Sequence, residues 1–519
     1  MDVQLDLLYG SGPAGFVPQP DQTEIAEALE SLVQGRVYPR SLASCADGLF
    51  FLWRGDEGRR LGALSPAPIG VLEGVWQSAE HGSQTASLFS GPLSHGNLAA
   101  LQRRFSFLLP RTIGLAGSFG FGDRIGLATP GHVQAARASQ LVPFFPQQSI
   151  REMVRTERTP QGVMDDAVWG AFQAGWDGGF GSDADHLKTT ADVDACASAG
   201  YTMFTVDPGD HVDNRADAAT PAELCALLEG IPWDSLETSW RETQERYGGK
   251  SLRIEGDLAV SLNEDALARA VVKYGRAVAH TAMMYRHLAD RMAGRPFELE
   301  MSVDETDLPT TPEEHFFVAQ ELQRLGVEWV SLAPRFVGSF QKGVDYIGDL
   351  GEFERSFAAH AAIARHVGPY KLSLHSGSDK FSIYEIAARH TNGLLHVKTA
   401  GTSYLEALRV VALRDAALFR EILAFALQRF EHDRATYHMS PSLGKVPAPD
   451  ALADDELPGL PDQFDARQVL HVTFGSVMIW KDGGRYRFRE RLMGTLDANE
   501  DAYYTALERH FRRHLAAYS

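Results

Sequence analysis

The segment 371–406 decides the fold, and it reads KLSLHSGSDKFSIYEIAARHTNGLLHVKTAGTSYLE. It contains two short apolar strands, and polar side chains gather where each strand ends. In the first strand Lys371, Ser373 and His375 alternate with leucines, so these polar side chains share one face. A strand between helices normally buries apolar side chains on both faces. Polar groups on the inner face near the carboxyl end therefore indicate an active site at the mouth of a parallel barrel.

The rest of the chain repeats this alternation of strand and helix. Predicted strands are Thr112–Ala116, Leu141–Phe145, Gly179–Ala184, Thr202–Val206, Phe297–Val303, Trp329–Ala333, Lys371–His375 and Leu394–Lys398. Predicted helices between them include Pro130–Ser139, Ala191–Ala199, Ala266–Ala293, Pro312–Leu325, Phe353–Val367 and Ile383–Thr391. The pattern predicts an α/β fold, a (β/α)8 TIM-type barrel with a large insertion after the fourth strand. A doubly wound open sheet is the alternative, because strands of this kind do not separate the two folds.

The regions outside the strands suggest three parts. Residues 1–108 are predicted to form an N-terminal extension, 109–435 the catalytic barrel, and 436–519 a C-terminal region that packs on the barrel. The apolar spacing within Tyr404–Phe430 predicts one long amphipathic helix after the last strand.

Composition limits the classes of partner. The 519-residue chain has a formal net charge of −19, which argues against binding to nucleic acid or to an anionic membrane. A small sugar or sugar-acid substrate remains compatible, since it needs only a local basic pocket. The first twelve residues lack the pattern of a signal peptide, and no apolar run approaches the roughly 20 residues that span a bilayer. We therefore expect a cytoplasmic protein, and the sequence leaves a homo-oligomer open.

The first cluster of candidate site residues lies in GFGSDADHLKT, residues 179–189. Asp185 and His186 follow a predicted strand and could supply a base and a metal ligand. The alternative is a helix N-cap with solvated charges, since aspartate often precedes a helix.

The second cluster lies in PFELEMSVDET, residues 296–306, where Glu298, Glu300 and Ser302 share one face. Carboxylates that face into a barrel are costly to bury unless they are paired or bound to a metal. An exposed sheet edge is the alternative, but the apolar residues between them favour burial.

Two further positions complete the set of candidates. Arg335 in LAPRFVGSFQKGVDYIGD could clamp a carboxylate in bidentate fashion, or it could form a salt bridge across the barrel mouth. His375 could be a satisfied core histidine, but polar residues at equivalent strand ends favour a metal ligand. Imidazole and carboxylate ligands suit Zn, Mn, Ni or Fe equally, so the sequence does not choose among these metals.

Several familiar signatures are absent. The glycines of SFGFGDR, residues 118–124, follow the first predicted strand and could let backbone approach a ligand, but they do not form the dinucleotide-binding pattern. The sequence also lacks the Walker A, GxSxG and HExxH patterns, so hydrolase interpretations based on them fail.

Six blocks together resemble the tagaturonate/fructuronate epimerase family, which is related to tagatose 4-epimerases. They are SFGFGDRIGLATPGH, GSDADHLKT, TMFTVDPGD, LAPRFVGSFQKGVDYIGD, LSLHSGSDKFSIY and HVKTAGTSYLEALRV, and they span about 118–410. The resemblance implies a metal-dependent sugar-acid epimerase. Some members also look able to epimerise fructose and tagatose at C4.

The resemblance also implies roles for individual residues. Asp185 would act as a base and Glu300 as an acid, while His186 and His375 would bind a divalent metal, with Gln341 as a third ligand. Apart from the resemblance, we predict substrate-binding roles for Lys188, Arg335, Lys342, Asp379, Lys380 and Lys398.

Fructuronate and tagaturonate differ in configuration at C4, and this position predicts the mechanism. The carbonyl lies at C2, so it does not acidify the C4 proton, whereas retro-aldol cleavage of the C3–C4 bond would allow inversion at C4. Transient oxidation at C4 is a competing route. Alternative functions are a metal-dependent aldose–ketose isomerase, an aldolase, or a sugar-binding barrel without catalysis.

Overall fold

A computed structural model describes residues 14–18, 21–81, 84–255, 258–437 and 439–518. Residues 1–12, for which the sequence predicts no signal peptide, lie outside these ranges. No helix in the described ranges is both long and apolar enough to cross a bilayer.

The N-terminal part contains an antiparallel sheet. Its strands are β1 (Gly15–Phe16), β2 (Arg36–Val37), β3 (Ala43–Cys45), β4 (Gly48–Gly55), β5 (Gly58–Ser65), β6 (Val75–His81) and β7 (Gln84–Gly91). The spatial order is β1-β3-β4-β5-β7-β6, with β2 paired to β4. Arg54 on β4 pairs with Asp497 at 2.6 Å, so this sheet contacts the helix Arg489–Ala498.

Eight parallel strands close into a barrel in the order β10-β11-β14-β15-β16-β17-β8-β9. They are β8 (Ser118–Phe121), β9 (Val142–Ser149), β10 (Gly181–Leu187), β11 (Met203–Val206), β14 (Glu298–Ser302), β15 (Ser331–Ala333), β16 (Lys371–Leu374) and β17 (Leu395–Thr399). The predicted (β/α)8 fold is therefore confirmed, and the open sheet is excluded. Two hairpins, β12 (Lys250–Arg253) with β13 (Ala259–Leu262) and β18 (Lys481–Asp482) with β19 (Arg485–Tyr486), lie outside the barrel.

Helices surround the barrel and form most of the C-terminal part. Those before β14 are Asp21–Val33, His95–Gln102, Thr129–Ala136, Ile150–Thr156, Pro160–Gln173, Thr190–Ser198, Pro221–Glu229, Trp240–Tyr247 and Glu264–Met292. Those after β14 are Pro312–Arg324, Leu350–Val367, Phe381–Thr391, Thr402–Arg414, Ala416–Asp433, Phe464–Val472, Phe474–Ile479, Arg489–Ala498 and Glu500–Leu515. The predicted division at residues 108 and 435 stays a prediction.

The first predicted strand was wrong. The barrel strand is Ser118–Phe121, within the segment that we placed after the first predicted strand, and Thr112–Ala116 is irregular. Phe119 and Phe121 contact Phe511 on the outer side, so the alternate residues Ser118 and Gly120 face inward. A Cβ on Gly120 would lie 3.0 Å from the Gln147 side chain, so this glycine allows close packing inside the barrel.

The predicted helix across Tyr404–Phe430 is in fact two helices. They meet at Asp415, whose side chain accepts a hydrogen bond from the Leu418 backbone N–H and begins the second helix. An aspartate at this position satisfies one of the free N–H groups of a helix start.

Two strands present polar faces to the barrel interior. Glu298, Glu300 and Ser302 on β14 are all buried, as are Lys371, Ser373 and His375 on β16 and beyond it. The exposed-edge alternative for β14 is therefore excluded, and both polar faces point into the closed sheet.

Candidate active site

A bulge in β10 directs two consecutive side chains to the barrel mouth. The register between β10 and β11 shifts between Ala184 and Leu187, and His186 has a φ of 54°. Neighbouring side chains of a regular strand point to opposite faces, so the bulge is needed to bring Asp185 and His186 to one site. Backbone outliers of this kind are often found at functional sites.

His186 and His375 meet at this mouth. Their ring centroids are 5.0 Å apart, and one ligand atom from each of Asp185, His186 and His375 lies within 4.8 Å of the others. Nδ1 of His186 lies 3.2 Å from Asp207 Oδ2, while Nδ1 of His375 lies 3.3 Å from Asp304 Oδ1. Carboxylates that orient imidazoles in this way are typical neighbours of metal-binding histidines.

Lys398 lies inside the barrel among three carboxylates. Its Nζ is 2.8 Å from Asp183 Oδ2, 2.9 Å from Asp185 Oδ1 and 2.7 Å from Glu300 Oε1. Glu300 Oε1 also lies 2.6 Å from His375 Nε2, which joins the lysine cluster to the histidine pair. The side chains of Lys398 and Glu300 are 3% and 0% exposed, so these charges depend on one another for stabilisation.

These contacts shift the pKa values of the site. Burial alone would lower the pKa of His186, but Asp185 and Asp207 raise it to about 10. The pKa of His375 rises to about 9, because Asp304 and Glu300 outweigh burial and the repulsion from Lys398. Burial opposes ionisation of Asp185 and Glu300, yet Lys398 and the histidines hold both carboxyl pKa values below their usual range. At the barrel mouth, the ionised carboxylates and the cationic histidines and lysine therefore stabilise one another.

Two adjoining cavities open at this mouth. The first, which we name the catalytic cavity after the candidate residues in its wall, has a volume of about 40 Å³ and is lined by Asp185, His186, His375 and Lys398 among others. The side cavity, about 120 Å³, is lined by Arg335, Asp304, Glu305, Phe336 and Phe340 among others. The two cavities share Lys342, His375, Ser376 and Tyr437.

The structure therefore brings together most of the predicted residues. Asp185, His186, Glu300, His375 and Lys398 form one group. Lys342, whose Nζ donates to Ser376 Oγ at 2.6 Å, and Arg335 lie beside that group in the shared and side cavities.

Four predicted residues lie outside the group. The side-chain oxygen of Gln341 accepts hydrogen bonds from Ser440 and Gln468, and Lys188 is on the rim, 2.9 Å from Asp210. Asp379 is buried against Arg467 at 2.7 Å. Lys380 donates to the carbonyl oxygens of Gln341, Val344 and Ser378.

Sequence reasoning missed the supporting carboxylates Asp207 and Asp304. Asp207 follows directly on β11 in TMFTVDPGD, and Asp304 lies two residues beyond the end of β14 in ELEMSVDET. That position was a usable signal, because the carboxyl ends of parallel strands converge on one rim. Tyr437, which comes from beyond the last barrel strand, gave no signal in the sequence.

Comparison with known proteins identifies the family. The chain matches the tagaturonate epimerase family (UxaE) over residues 38–518. The chain belongs to this family. A tagaturonate/fructuronate epimerase from Thermotoga maritima is 45% identical over 482 residues, which cover 92% of this chain and 96% of the relative.

Solved structures agree with the family assignment. The native crystal structure of fructuronate-tagaturonate epimerase UxaE from Cohnella laeviribosi has a TM-score of 0.88 and 38% identity, and covers 96% of this chain and 99% of that one. A crystal structure of that protein with one glycerol has a TM-score of 0.87 at 38% identity and the same coverage. The predicted family and the prediction of an enzyme, a carbohydrate epimerase, are confirmed.

Proposed function

We propose that this chain inverts C4 of a 2-keto hexuronate and so interconverts tagaturonate and fructuronate. The observation that carries the proposal is that ligand atoms of His186, His375 and Asp185 lie within 4.8 Å of one another. The chain also belongs to a family that is named for tagaturonate epimerase activity. Glu300 and Lys398 adjoin them. An aldolase or aldose–ketose isomerase could use a similar pocket, but no observation favours either over the epimerase.

We propose His186 and His375 as ligands of a divalent metal. Two imidazoles, each oriented by a carboxylate on Nδ1 and accompanied by Asp185, fit Zn, Mn, Ni or Fe by donor type. Gln341 remains a proposed third ligand, and it would have to exchange its contacts with Ser440 and Gln468 to reach the site. When bound, a divalent cation stabilises negative charge on the C2–C3 enediolate.

The proposed reaction is a retro-aldol cleavage followed by aldol re-formation. A base removes the proton of the C4 hydroxyl, the C3–C4 electron pair moves to the C2–C3 enediolate, and C4 becomes an aldehyde. That three-carbon aldehyde carries the carboxylate, turns its other face, and the C3–C4 bond re-forms. Asp185 and Glu300 would exchange the hydroxyl proton. Lys398 contacts both carboxylates and keeps them ionised, so each can act as an acid only after it has accepted a proton, which it would then return to the new C4 hydroxyl.

The anionic end of the substrate is proposed to bind in the side cavity. Lys342 lines both cavities, and Arg335 lines the side cavity with a buried Nε that has no hydrogen-bond partner among the described residues. A guanidinium and an ammonium suit a carboxylate in this position. Fructose and tagatose lack the carboxylate, so we expect them to react more slowly than the uronates.

The experiment is NMR analysis of products from fructuronate and from fructose, coupled to metal analysis of the purified protein. We expect tagaturonate from fructuronate, with no deuterium at C4 when the reaction runs in D2O. Borohydride should trap three-carbon fragments. A product altered at any carbon other than C4 would contradict the proposed function, and deuterium at C4 would contradict retro-aldol chemistry.

A further inference from the structure

A separate cavity of about 590 Å³ lies near the C-terminal helix. We call it the arginine cavity, since its lining includes Arg409, Arg467, Arg509, Arg513 and the neighbouring His510. It contains none of Asp185, His186 or His375, but Gly343 lines both this cavity and the catalytic cavity.

The carboxylates in the wall of the arginine cavity already have partners. Asp379 pairs with Arg467 at 2.7 Å. Arg409 is held between Glu406 and Asp462, at 3.0 and 2.7 Å. Asp345, a further acidic residue of the lining, accepts hydrogen bonds from the backbone N–H and the hydroxyl of Ser382. The acidic groups and the two inner arginines are thus all engaged with partners in the wall or beside it.

Arg509 and Arg513 are different, because neither forms an ion pair with any residue in the described ranges. They lie four residues apart on the helix Glu500–Leu515, so they share one face of it. Arg513 contacts the face of Phe381, 4.4 Å from the ring centroid. Their guanidinium groups remain available for an anion that enters the cavity.

His510 supplies an independent indication of a ligand. It is 5% exposed, lines the arginine cavity, and its Nε2 has no hydrogen-bond partner among the described residues. Asp379 Oδ1 lies 3.7 Å from this Nε2 and Glu406 Oε1 lies 3.6 Å from Nδ1, both beyond hydrogen-bond distance. A buried imidazole nitrogen without a partner is costly, so a ligand that satisfies it would bind favourably.

We propose that the arginine cavity binds a small oxyanion, carried by a phosphorylated metabolite or by a sugar acid. Arg509 and Arg513 would contact its oxygens from the open side, and His510 would donate from the buried side. Paired guanidinium donors match the planar or tetrahedral oxygens of carboxylate and phosphate. The proposal does not rest on the catalytic function, because it concerns a cavity that the catalytic groups do not enter.

The test is isothermal titration of the full-length protein with inorganic phosphate and, separately, with gluconate. We expect saturable binding of at least one anion, and at least tenfold weaker binding in the double variant Arg509→Gln/Arg513→Gln. Phosphate binding alone would identify a phosphoryl ligand, and gluconate binding a sugar acid. The matched control is Arg512→Gln, on the same helix, where Arg512 already pairs with Glu508 at 2.6 Å.

Two results would overturn the proposal. One is the absence of saturable binding of either anion to the unmodified chain. The other is a double variant that binds both anions as tightly as the Arg512→Gln control, which would locate the binding elsewhere. Thermal midpoints without anion check the fold of each variant, and Arg509→Gln alone serves if the double variant is unstable. No turnover is measured, so a failure of the proposed epimerase activity would not affect this outcome.

Discussion

At the scale of single residues, Lys398 links the acidic groups inside the barrel. Its ammonium contacts Asp183, Asp185 and Glu300, and all four side chains are buried. Burial favours the neutral amine, but the three carboxylates raise the pKa of Lys398 above its ordinary value. The sequence suggested substrate binding for this residue, whereas its contacts indicate a structural and electrostatic role.

We predict that Lys398→Met destabilises the protein strongly. The substitution leaves three buried carboxylates without their cation, and breaking such an arrangement costs about 3–5 kcal/mol. Denaturation in urea measures the effect. Lys188→Met is the control, since Lys188 is 45% exposed and its loss should change stability by less than about 0.5 kcal/mol. Equal urea midpoints for both variants would show that Lys398 does not stabilise the three buried carboxylates.

Asp185→Asn and Glu300→Gln test the proton-transfer roles. Each substitution keeps the shape of the side chain but removes the proton acceptor, and we expect kcat to fall by about 10²- to 10⁴-fold. The histidines remain, so the metal content should persist. Turnover by NMR and metal analysis of each variant are the measurements. Loss of metal from Asp185→Asn would instead make Asp185 a ligand.

Arg335→Gln tests the carboxylate end of the pocket. Loss of a charge-assisted contact of about 1.5–3 kcal/mol should raise KM for fructuronate by about 10- to 100-fold. The reacting groups are unchanged, so kcat should fall much less. Arg355→Gln, on the exposed side of the helix Leu350–Val367, is the control. An unchanged KM would place the carboxylate elsewhere.

At the scale of elements, the loop after β16 is fixed tightly against β17. The Gly377 backbone N–H donates to Lys398 O at 2.9 Å. A Cβ on Gly377 would lie 2.8 Å from both Leu374 O and Val397 Cγ1. Backbone atoms cannot yield as a flexible side chain does, so this glycine allows His375 and Ser376 to keep their positions.

Gly377→Ala should therefore disturb the site, although Gly377 itself does not line the catalytic cavity. We expect a loss of about 1–3 kcal/mol of stability from overpacking and a reduced metal affinity, because the loop must move away from β17. Gly494→Ala is the matched control. It lies within the helix Arg489–Ala498, where the added Cβ has no described neighbour within 4 Å apart from the helix's own backbone and the adjoining residues, and the alanine should stabilise the protein by about 0.5–1 kcal/mol. If both variants bind metal like the parent, the loop does not hold His375 in place.

The elements that could be predicted were those with a clear period. The amphipathic helix Glu264–Met292 and strand β14 follow directly from their apolar spacing. Strand β8 was missed because Gly120 and Ser118 resemble a loop in sequence, and only their inward position in the closed sheet explains them. The bulge at His186 was also unpredictable, since it depends on pairing with β11.

At the scale of the whole molecule, barrel closure brings His186 and His375 together from strands that are not neighbours. Strands β11, β14 and β15 separate β10 from β16 around the barrel. A metal held by both histidines would therefore connect opposite sides of the mouth. In the metal-free protein these imidazoles are protonated at neutral pH, given pKa values raised to about 10 and about 9.

Metal affinity should accordingly increase with pH. Binding needs both imidazoles neutral and so releases two protons, and the apparent association constant should rise by up to about 100-fold per unit between pH 6 and 8. Chelator competition across this range measures the slope. His375→Gln should reduce the slope to about tenfold per unit. A metal affinity that does not change with pH would show that binding does not deprotonate these two histidines. Chelation without loss of turnover would show that the reaction does not need the metal.

The sequence by itself determined the alternation of strands and helices, the polar inner faces of β14 and β16, and the identity of Asp185, His186, Glu300 and His375 as candidates. These follow from local periods of two and 3.6 residues and from residue chemistry. Only the tertiary structure decided that Lys398 pairs with three carboxylates, that Asp207 and Asp304 orient the histidines, and that Asp379 and Lys380 lie away from the catalytic cavity. Such contacts join residues far apart in the chain, and their distances are fixed by barrel closure and register, which no local pattern specifies.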